Sequence, residues 1–111
     1  MAEYIISLVI FSLVTIVMII IGISQMRSKK PVGFYSGEKP PREEELSDVV
    51  AWNKKHGYMW VAYGLIIIGF FVMTSFIKSE TIAMVLLLSG IIGSVPIMML
   101  YHSYLKKKYY K

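Results

Sequence analysis

The feature that most constrains this chain is an uncharged run of 23 residues near its start, from Tyr4 to Met26. At the rise of an α-helix, such a run covers the roughly 30 Å hydrocarbon core of a bilayer. Two later stretches, 57–77 and 81–105, also lack formal charge. Backbone polar groups in lipid must be satisfied within their own segment, which favours helices. We therefore predict three transmembrane helices, at about 4–26, 57–77 and 82–102.

The composition supports a membrane setting. Of the 111 residues, 56% are hydrophobic and only 17% are charged, whereas ordinary globular domains carry about 25% charged residues. A soluble chain of this length could not hide so much apolar surface, because small domains bury the smaller share of their surface. The length allows one domain, residues 1–111. The sequence therefore predicts an all-α integral membrane protein.

The basic residues predict the orientation of the three helices. Of twelve Lys and Arg residues, seven lie between Arg27 and Lys55, four lie from Lys106 onward, and Lys78 stands alone. Lys and Arg concentrate on the cytoplasmic side of membranes. We expect an N-terminus outside, a cytoplasmic loop at 27–56 and a C-terminus inside, in the bacterial cytoplasmic membrane. The partners are then the bilayer and its anionic headgroups, and we predict no nucleic acid.

The predicted loop divides into two halves. The first half is rich in Pro and Gly, which indicates irregular structure, and its aromatic pair, Phe34 and Tyr35, suits either interface anchoring or a binding loop. In the second half, Pro41 and the acidic run at 43–45 suit the first turn of a helix. We predict an amphipathic helix at about 42–55 that can continue into the second span.

On such a continuous helix, the 3.6-residue period aligns polar and aromatic side chains at the headgroup level. The candidate residues for binding a ligand or partner, including the aromatic pair of the loop, are Asp48, Trp52, Asn53, Lys55, His56, Tyr63, Phe34 and Tyr35. This set could bind a lipid headgroup, an amphipathic peptide or a partner helix. The simpler interpretation is a snorkelling helix end anchored by aromatic rings. The expected anchors are Tyr58, Trp60, Tyr63, Tyr101, Tyr104, Tyr109 and Tyr110.

Small residues in the second and third spans predict helix packing. Small side chains four residues apart let helix backbones approach closely, and a proline within a helix removes a backbone hydrogen bond. The predicted packing residues are Gly57, Gly64, Ser89, Gly90, Gly93, Ser94 and Pro96. They form either a generic packing surface or a substrate path.

The sequence lacks the residues that several kinds of chemistry require. No carboxylate, lysine or arginine lies inside a predicted span, which argues against an ion-coupled transporter. The chain has no cysteine, and His56 and His102 lack metal-ligand spacing. If both histidines lie at the inner surface, a site shared with Glu43–Glu45 or Asp48 stays open. We predict no enzyme activity, no metal and no cofactor.

Two motifs resemble a known family. "VGFYSGEKPP" and, after six further residues, "DVVAWNKKHG" are similar to the small bacterial membrane proteins of the SdpI/YhfL type. The resemblance covers about residues 31–70, and its matches are Gly33, Ser36, Trp52, Asn53, Lys55 and His56. It implies a bacterial group in which one member confers immunity to a secreted peptide toxin and signals by retaining a repressor at the membrane.

Three functions are compatible with these features. The first is non-enzymatic immunity or sensing, with a peptide toxin as partner. The second is an accessory or structural subunit of a larger membrane complex, or a homo-oligomer. The third is a holin-like pore former, which suits three spans and a basic inner tail.

Overall fold

The computed structural model describes residues 2–33 and 39–111 and contains three long helices. They are α1 (Ala2–Arg27), α2 (Val49–Thr74) and α3 (Glu80–Tyr109). A short 3-10 turn, Glu43–Glu45, lies between α1 and α2. Each long helix has the length and hydropathy needed to cross a membrane. The predicted all-helical fold with three candidate spans is therefore confirmed.

The predicted amphipathic helix at 42–55 requires correction. Its residues 43–45 form only the 3-10 turn, whereas the residues from Val49 onward are α-helical and form the first turns of α2. Asp48 caps this helix, because its carboxylate accepts a hydrogen bond of 3.0 Å from the Ala51 N–H, which satisfies one of the unpaired donors of the first turn. The loop helix and the second span are therefore one continuous helix.

The helix α2 is central, and α1 packs along it at very short range. A Cβ atom added to Gly57 would lie only 2.5 Å from the carbonyl oxygen of Gly22. Further along, the Thr15 hydroxyl donates to the carbonyl oxygen of Gly64 at 3.2 Å. Gly57 and Gly64, predicted as packing residues, thus lie at the contact between α1 and α2.

The helix α3 runs antiparallel to α2 after a short turn. Ser79 caps its start by accepting a hydrogen bond from the Ile82 N–H at 3.3 Å, and the helix continues through Pro96. It ends at Tyr109, beyond the predicted boundary at 102. One end of the bundle therefore contains the end of α1, the start of α2 and the end of α3. We call it the Lys-rich end, because every Lys and Arg except Lys78 belongs to its segments.

Candidate functional site

The Lys-rich end closes over a small core centred on Trp52. The Trp52 side chain is 0% exposed and lies in a cluster with Leu46, Leu105 and Tyr109. Leu46 comes from the segment before α2, and the other two come from the last turns of α3. We call this core, together with the buried side chains of Asn53, His56 and His102 around it, the cap.

Two neighbouring residues of α2 fasten the chain that leaves α1. The Trp52 indole N–H donates to the carbonyl oxygen of Val32 at 2.8 Å. The Asn53 amide donates to the carbonyl oxygens of Ser28 and Lys30, both at 3.0 Å, and accepts from the Val32 N–H at 3.1 Å. These backbone groups follow a helix end and need partners from elsewhere. Asn53 and Trp52 therefore set the path of residues 28–32, which we call the connector.

The C-terminal residues are also fastened to the cap. Leu46 and Tyr110 form an antiparallel bridge, flanked by backbone hydrogen bonds from Ser47 N–H to Tyr109 O at 2.7 Å and from Lys111 N–H to Glu45 O at 2.8 Å. Tyr109 is 8% exposed. The ring of Tyr109, expected as a headgroup anchor, packs in the cap.

The cap also holds two histidines that are far apart in sequence. His56 Nε2 lies 2.8 Å from His102 Nδ1, and both side chains are buried. His56 Nδ1 lies 2.9 Å from the Trp52 carbonyl oxygen. A carbonyl only accepts, so His56 Nδ1 carries a hydrogen, and in the neutral pair His56 Nε2 accepts from His102 Nδ1–H. Across residues 2–33 and 39–111, no three His, Cys, Asp or Glu side chains are placed to hold a metal.

This geometry predicts the tautomers of the histidine pair. In ¹⁵N NMR spectra of histidine-labelled protein in micelles, at a pH where both rings are neutral, we expect His56 to be protonated at Nδ1 and bare at Nε2. His102→Phe is the control, because it removes the other ring and leaves the His56 bond to the Trp52 carbonyl oxygen. A His56 protonated at Nε2 in the neutral wild-type pair would contradict the hydrogen-bond assignment.

The remaining predicted binding residues lie outside the cap. Asp48 is exposed and caps α2. Lys55 is partly exposed, one turn before Met59. Tyr63 lies further along α2, where its hydroxyl donates to the carbonyl oxygen of Ile91 in α3 at 3.1 Å. Two predicted loop positions lie outside the described residues, Phe34 and Tyr35.

The predicted small residues of α3 divide into two groups. Gly90 is buried, and a Cβ added there would lie 2.7 Å from the Phe70 ring. The Ser94 hydroxyl donates to the Gly90 carbonyl oxygen within the helix. In contrast, Ser89 is exposed, and a Cβ added to Gly93 would meet no atom within 4 Å. Gly90 therefore packs inside the bundle, while Ser89 and Gly93 face its surroundings.

An apolar groove of about 360 Å³ lies between α2 and α3. Its walls include Tyr58 and Ala62 on α2 and Ser94, Met98 and Tyr101 on α3. Because Tyr58 and Ala62 are exposed, the groove opens sideways. We call it the α2–α3 groove, and it begins next to the cap.

One ion pair orders the short turn before the cap. Arg42 Nε donates to Glu45 Oε1 at 3.0 Å, and the Arg42 backbone N–H donates to the same oxygen at 3.4 Å. These two hydrogen bonds lower the pKa of the Glu45 carboxyl below its ordinary value, because they favour the charged form. The pair is accessible to solvent and therefore contributes little to stability.

Removing the Asn53 amide should release the connector. Asn53→Ala loses three hydrogen bonds, each with a net value of about 1 kcal/mol. We expect trypsin to cut after Arg27 and Lys29 at least about tenfold faster in detergent-solubilised protein. Val50→Ala is the control, since Val50 is 65% exposed on the same helix. Equal cleavage rates in Asn53→Ala and the wild type would show that the Asn53 hydrogen bonds do not hold the connector.

No protein-family model, curated protein or solved structure matches this chain. The similarity to SdpI/YhfL-type proteins therefore stays a prediction that rests on the sequence motifs. Three of the motif residues, Trp52, Asn53 and His56, meet in the cap.

Proposed function

We propose that this chain is a non-enzymatic, multi-pass protein of the bacterial cytoplasmic membrane that acts in immunity or sensing against a peptide toxin. The observation that carries the proposal is the cap, in which buried polar groups tie the connector, α2 and α3 together. The motif residues Trp52, Asn53 and His56 lie at its centre. Three of the residues that carry the family resemblance thus belong to this buried network.

The cap suits a sensing role because its contacts depend on several segments at once. A buried polar network favours one arrangement, since each buried donor or acceptor needs its partner. The helix α1 leads directly into the connector held by Asn53. A displacement of α1 would therefore act on the cap through the connector.

The surface of α1 supports a peptide as the partner. Its apolar side chains are widely exposed, with Ile6 at 58%, Leu13 at 57% and Ile20 at 56%. In a bilayer this face is open to lipid or to another apolar helix. We propose that a membrane-inserted toxin packs on this face and that the cap, facing the cytoplasm, responds.

The residue content of the chain supports two other parts of the proposal, the non-enzymatic role and the orientation in the membrane. The chain contains no cysteine nucleophile, and its formal charges lie outside the apolar runs. Eleven basic residues at the Lys-rich end, against one at the other end, favour a cytoplasmic position for the Lys-rich end by the positive-inside rule. The cap would then face any cytoplasmic protein that the membrane protein retains.

A toxin challenge tests this function. The protein is expressed in a strain killed by the peptide toxins encoded near its gene, and survival is counted. We expect the wild type to protect and Asn53→Ala to lose at least about tenfold in survival, while Val50→Ala protects fully. Membrane fractions confirm that all three are inserted. Unchanged killing of the wild-type strain by each of these toxins would contradict the proposal.

A second candidate, an accessory subunit or homo-oligomer, is favoured by the outer face of α3. The space beside Gly93 is open, and Ile92 and Leu100 nearby are 63% and 72% exposed. Small residues at such a face allow close helix contact. Gly93→Leu should abolish an oligomer or a stoichiometric partner recovered in mild detergent. A monomer without a partner would contradict this candidate.

The holin-like alternative has its own discriminating measurement. A pore former collapses the membrane potential when its expression is induced. Immunity, sensing and accessory roles all predict that the potential is retained. A collapse of the potential before growth stops would favour the holin-like function over the proposed one.

A further inference from the structure

The α2–α3 groove has walls suited to a flexible apolar chain. Its volume of about 360 Å³ falls within the range of roughly 300–1,000 Å³ that is usual for ligand sites. Met59 and Met98 lie on its opposite walls, and methionine side chains adapt to irregular apolar ligands. With the bundle in a bilayer, the sideways opening of the groove meets the lipid acyl chains.

A lysine stands at the end of the groove on the α2 side. Lys55 precedes Tyr58, Met59 and Ala62 by three, four and seven residues, so it shares their helix face. All three of those residues line the groove. Lys55 is partly exposed, and its long stem can follow the apolar wall while its ammonium reaches water.

A second lysine stands at the same end on the α3 side. Lys108 follows Tyr101 by two helical turns and therefore lies on the same face. The Lys108 Nζ lies 5.9 Å from the centre of the Tyr104 ring and 5.5 Å from that of the Tyr109 ring. The Tyr104 ring in turn stacks on Tyr101, which lines the groove. Lys108 is thus connected to the groove through two aromatic rings, and its ammonium is held by contacts with the rings of Tyr104 and Tyr109.

Two acidic side chains at the Lys-rich end, Glu45 and Asp48, have hydrogen-bond partners of their own. Asp48 accepts from the backbone N–H of Ala51, and Glu45 accepts from Arg42. The mouth therefore combines an apolar slot with two ammonium groups. The complementary ligand has a long hydrocarbon chain and an anionic head.

We propose that the α2–α3 groove binds one anionic phospholipid, with an acyl chain along Met59, Ala62 and Met98 and the headgroup at Lys55 and Lys108. This is a specific lipid site, distinct from the general attraction of basic residues to an anionic leaflet. It does not depend on the toxin-related function. The position of Lys55 suits a headgroup contact, because α2 has 26 residues and is therefore roughly 39 Å long, which exceeds the roughly 30 Å hydrocarbon core.

Native mass spectrometry of the full-length protein tests the site. The protein is released from nanodiscs made of equal parts of dioleoyl phosphatidylglycerol and dioleoyl phosphatidylcholine, and the retained lipid is identified. We expect the wild type to retain one phosphatidylglycerol in preference to phosphatidylcholine. The double variant Lys55→Gln/Lys108→Gln should reduce this preference at least about fivefold, since a basic residue near an anionic surface contributes on the order of 1 kcal/mol.

Lys78→Gln is the matched charge control, because it removes a lysine at the opposite end of the bundle and should keep the wild-type preference. Ala62→Leu tests the slot itself, since a larger side chain on this exposed wall should remove both lipids. Circular dichroism verifies that every variant is folded. Equal retention of the two lipids by the wild type, or an unchanged preference in the double lysine variant, would overturn the proposal. A dimer that dissociates in Ala62→Leu would assign the groove to a second copy and overturn it as well.

Discussion

Replacing Trp52 with alanine should open the cap and expose the backbone that it protects. The side chain is 0% exposed, and its ring lies 4.2 Å from the His56 ring and 5.6 Å from the Tyr110 ring, measured between centroids. Truncating a buried tryptophan to alanine usually costs about 3–5 kcal/mol. The loss also removes the indole hydrogen bond to Val32. We therefore expect Trp52→Ala to have the largest effect of any single truncation in the cap.

Hydrogen exchange measures this effect locally. The amide hydrogens of Val32 and Ser47 are bonded to the Asn53 side chain and the Tyr109 carbonyl, so their protection depends on the closed cap. A loss of 3 kcal/mol or more corresponds to exchange at least about a hundredfold faster. Tyr58→Ala is the control, because Tyr58 lies in the same helix and is 55% exposed. If Trp52→Ala and Tyr58→Ala exchange equally fast, Trp52 is not the centre of the cap.

Introducing a side chain at Gly57 should separate α1 from α2. A Cβ atom there would lie 2.5 Å from the Gly22 carbonyl oxygen, a distance that only a shift of the helix backbones can relieve. Overpacking a close contact costs about 1–3 kcal/mol, and occasionally more when the backbone must move. We expect Gly57→Val to lower the midpoint of thermal unfolding in mild detergent by several degrees. Gly22→Val should do the same, because the two glycines face each other.

Gly69 supplies the matched control for this experiment. It lies in the same helix, but a Cβ added there would meet no atom within 4 Å. Gly69→Val should therefore keep the wild-type unfolding midpoint apart from the small difference in helix propensity. If Gly57→Val and Gly69→Val unfold at the same temperature, the close approach of α1 and α2 does not exist in the protein.

The three long helices could be predicted because their signal is local. An uncharged apolar run as long as Tyr4 to Met26 needs no information about its neighbours. The start of α2 could not be predicted in this way, since Pro41 with three glutamates and Asp48 are both good helix starts. The helix begins after Asp48, and not after Pro41, because of a contact that is distant in sequence. Leu46 pairs with Tyr110, and this pairing requires extended backbone at Leu46.

The candidate site could be predicted only in part. The sequence of one helix shows which of its residues share a face, but it does not show which residues of another helix they contact. Helical spacing placed Trp52 and His56 on one face, and both are buried in the cap. It could not supply His102, whose contact depends on how α2 and α3 are aligned. One signal was present in the sequence, since the two histidines are equally far from Ser79 in the turn. A hairpin of two helices brings such residues to the same level.

Labelling of single cysteines in intact cells tests the central claim, that three spans place the cap in the cytoplasm. The chain has no cysteine of its own, so Ser47→Cys and Lys78→Cys each introduce one exposed thiol at opposite ends of the bundle. With a membrane-impermeant maleimide, we predict that Lys78→Cys is labelled in intact cells and that Ser47→Cys is labelled only after permeabilisation. Labelling of Ser47→Cys in intact cells, with Lys78→Cys protected, would contradict the account.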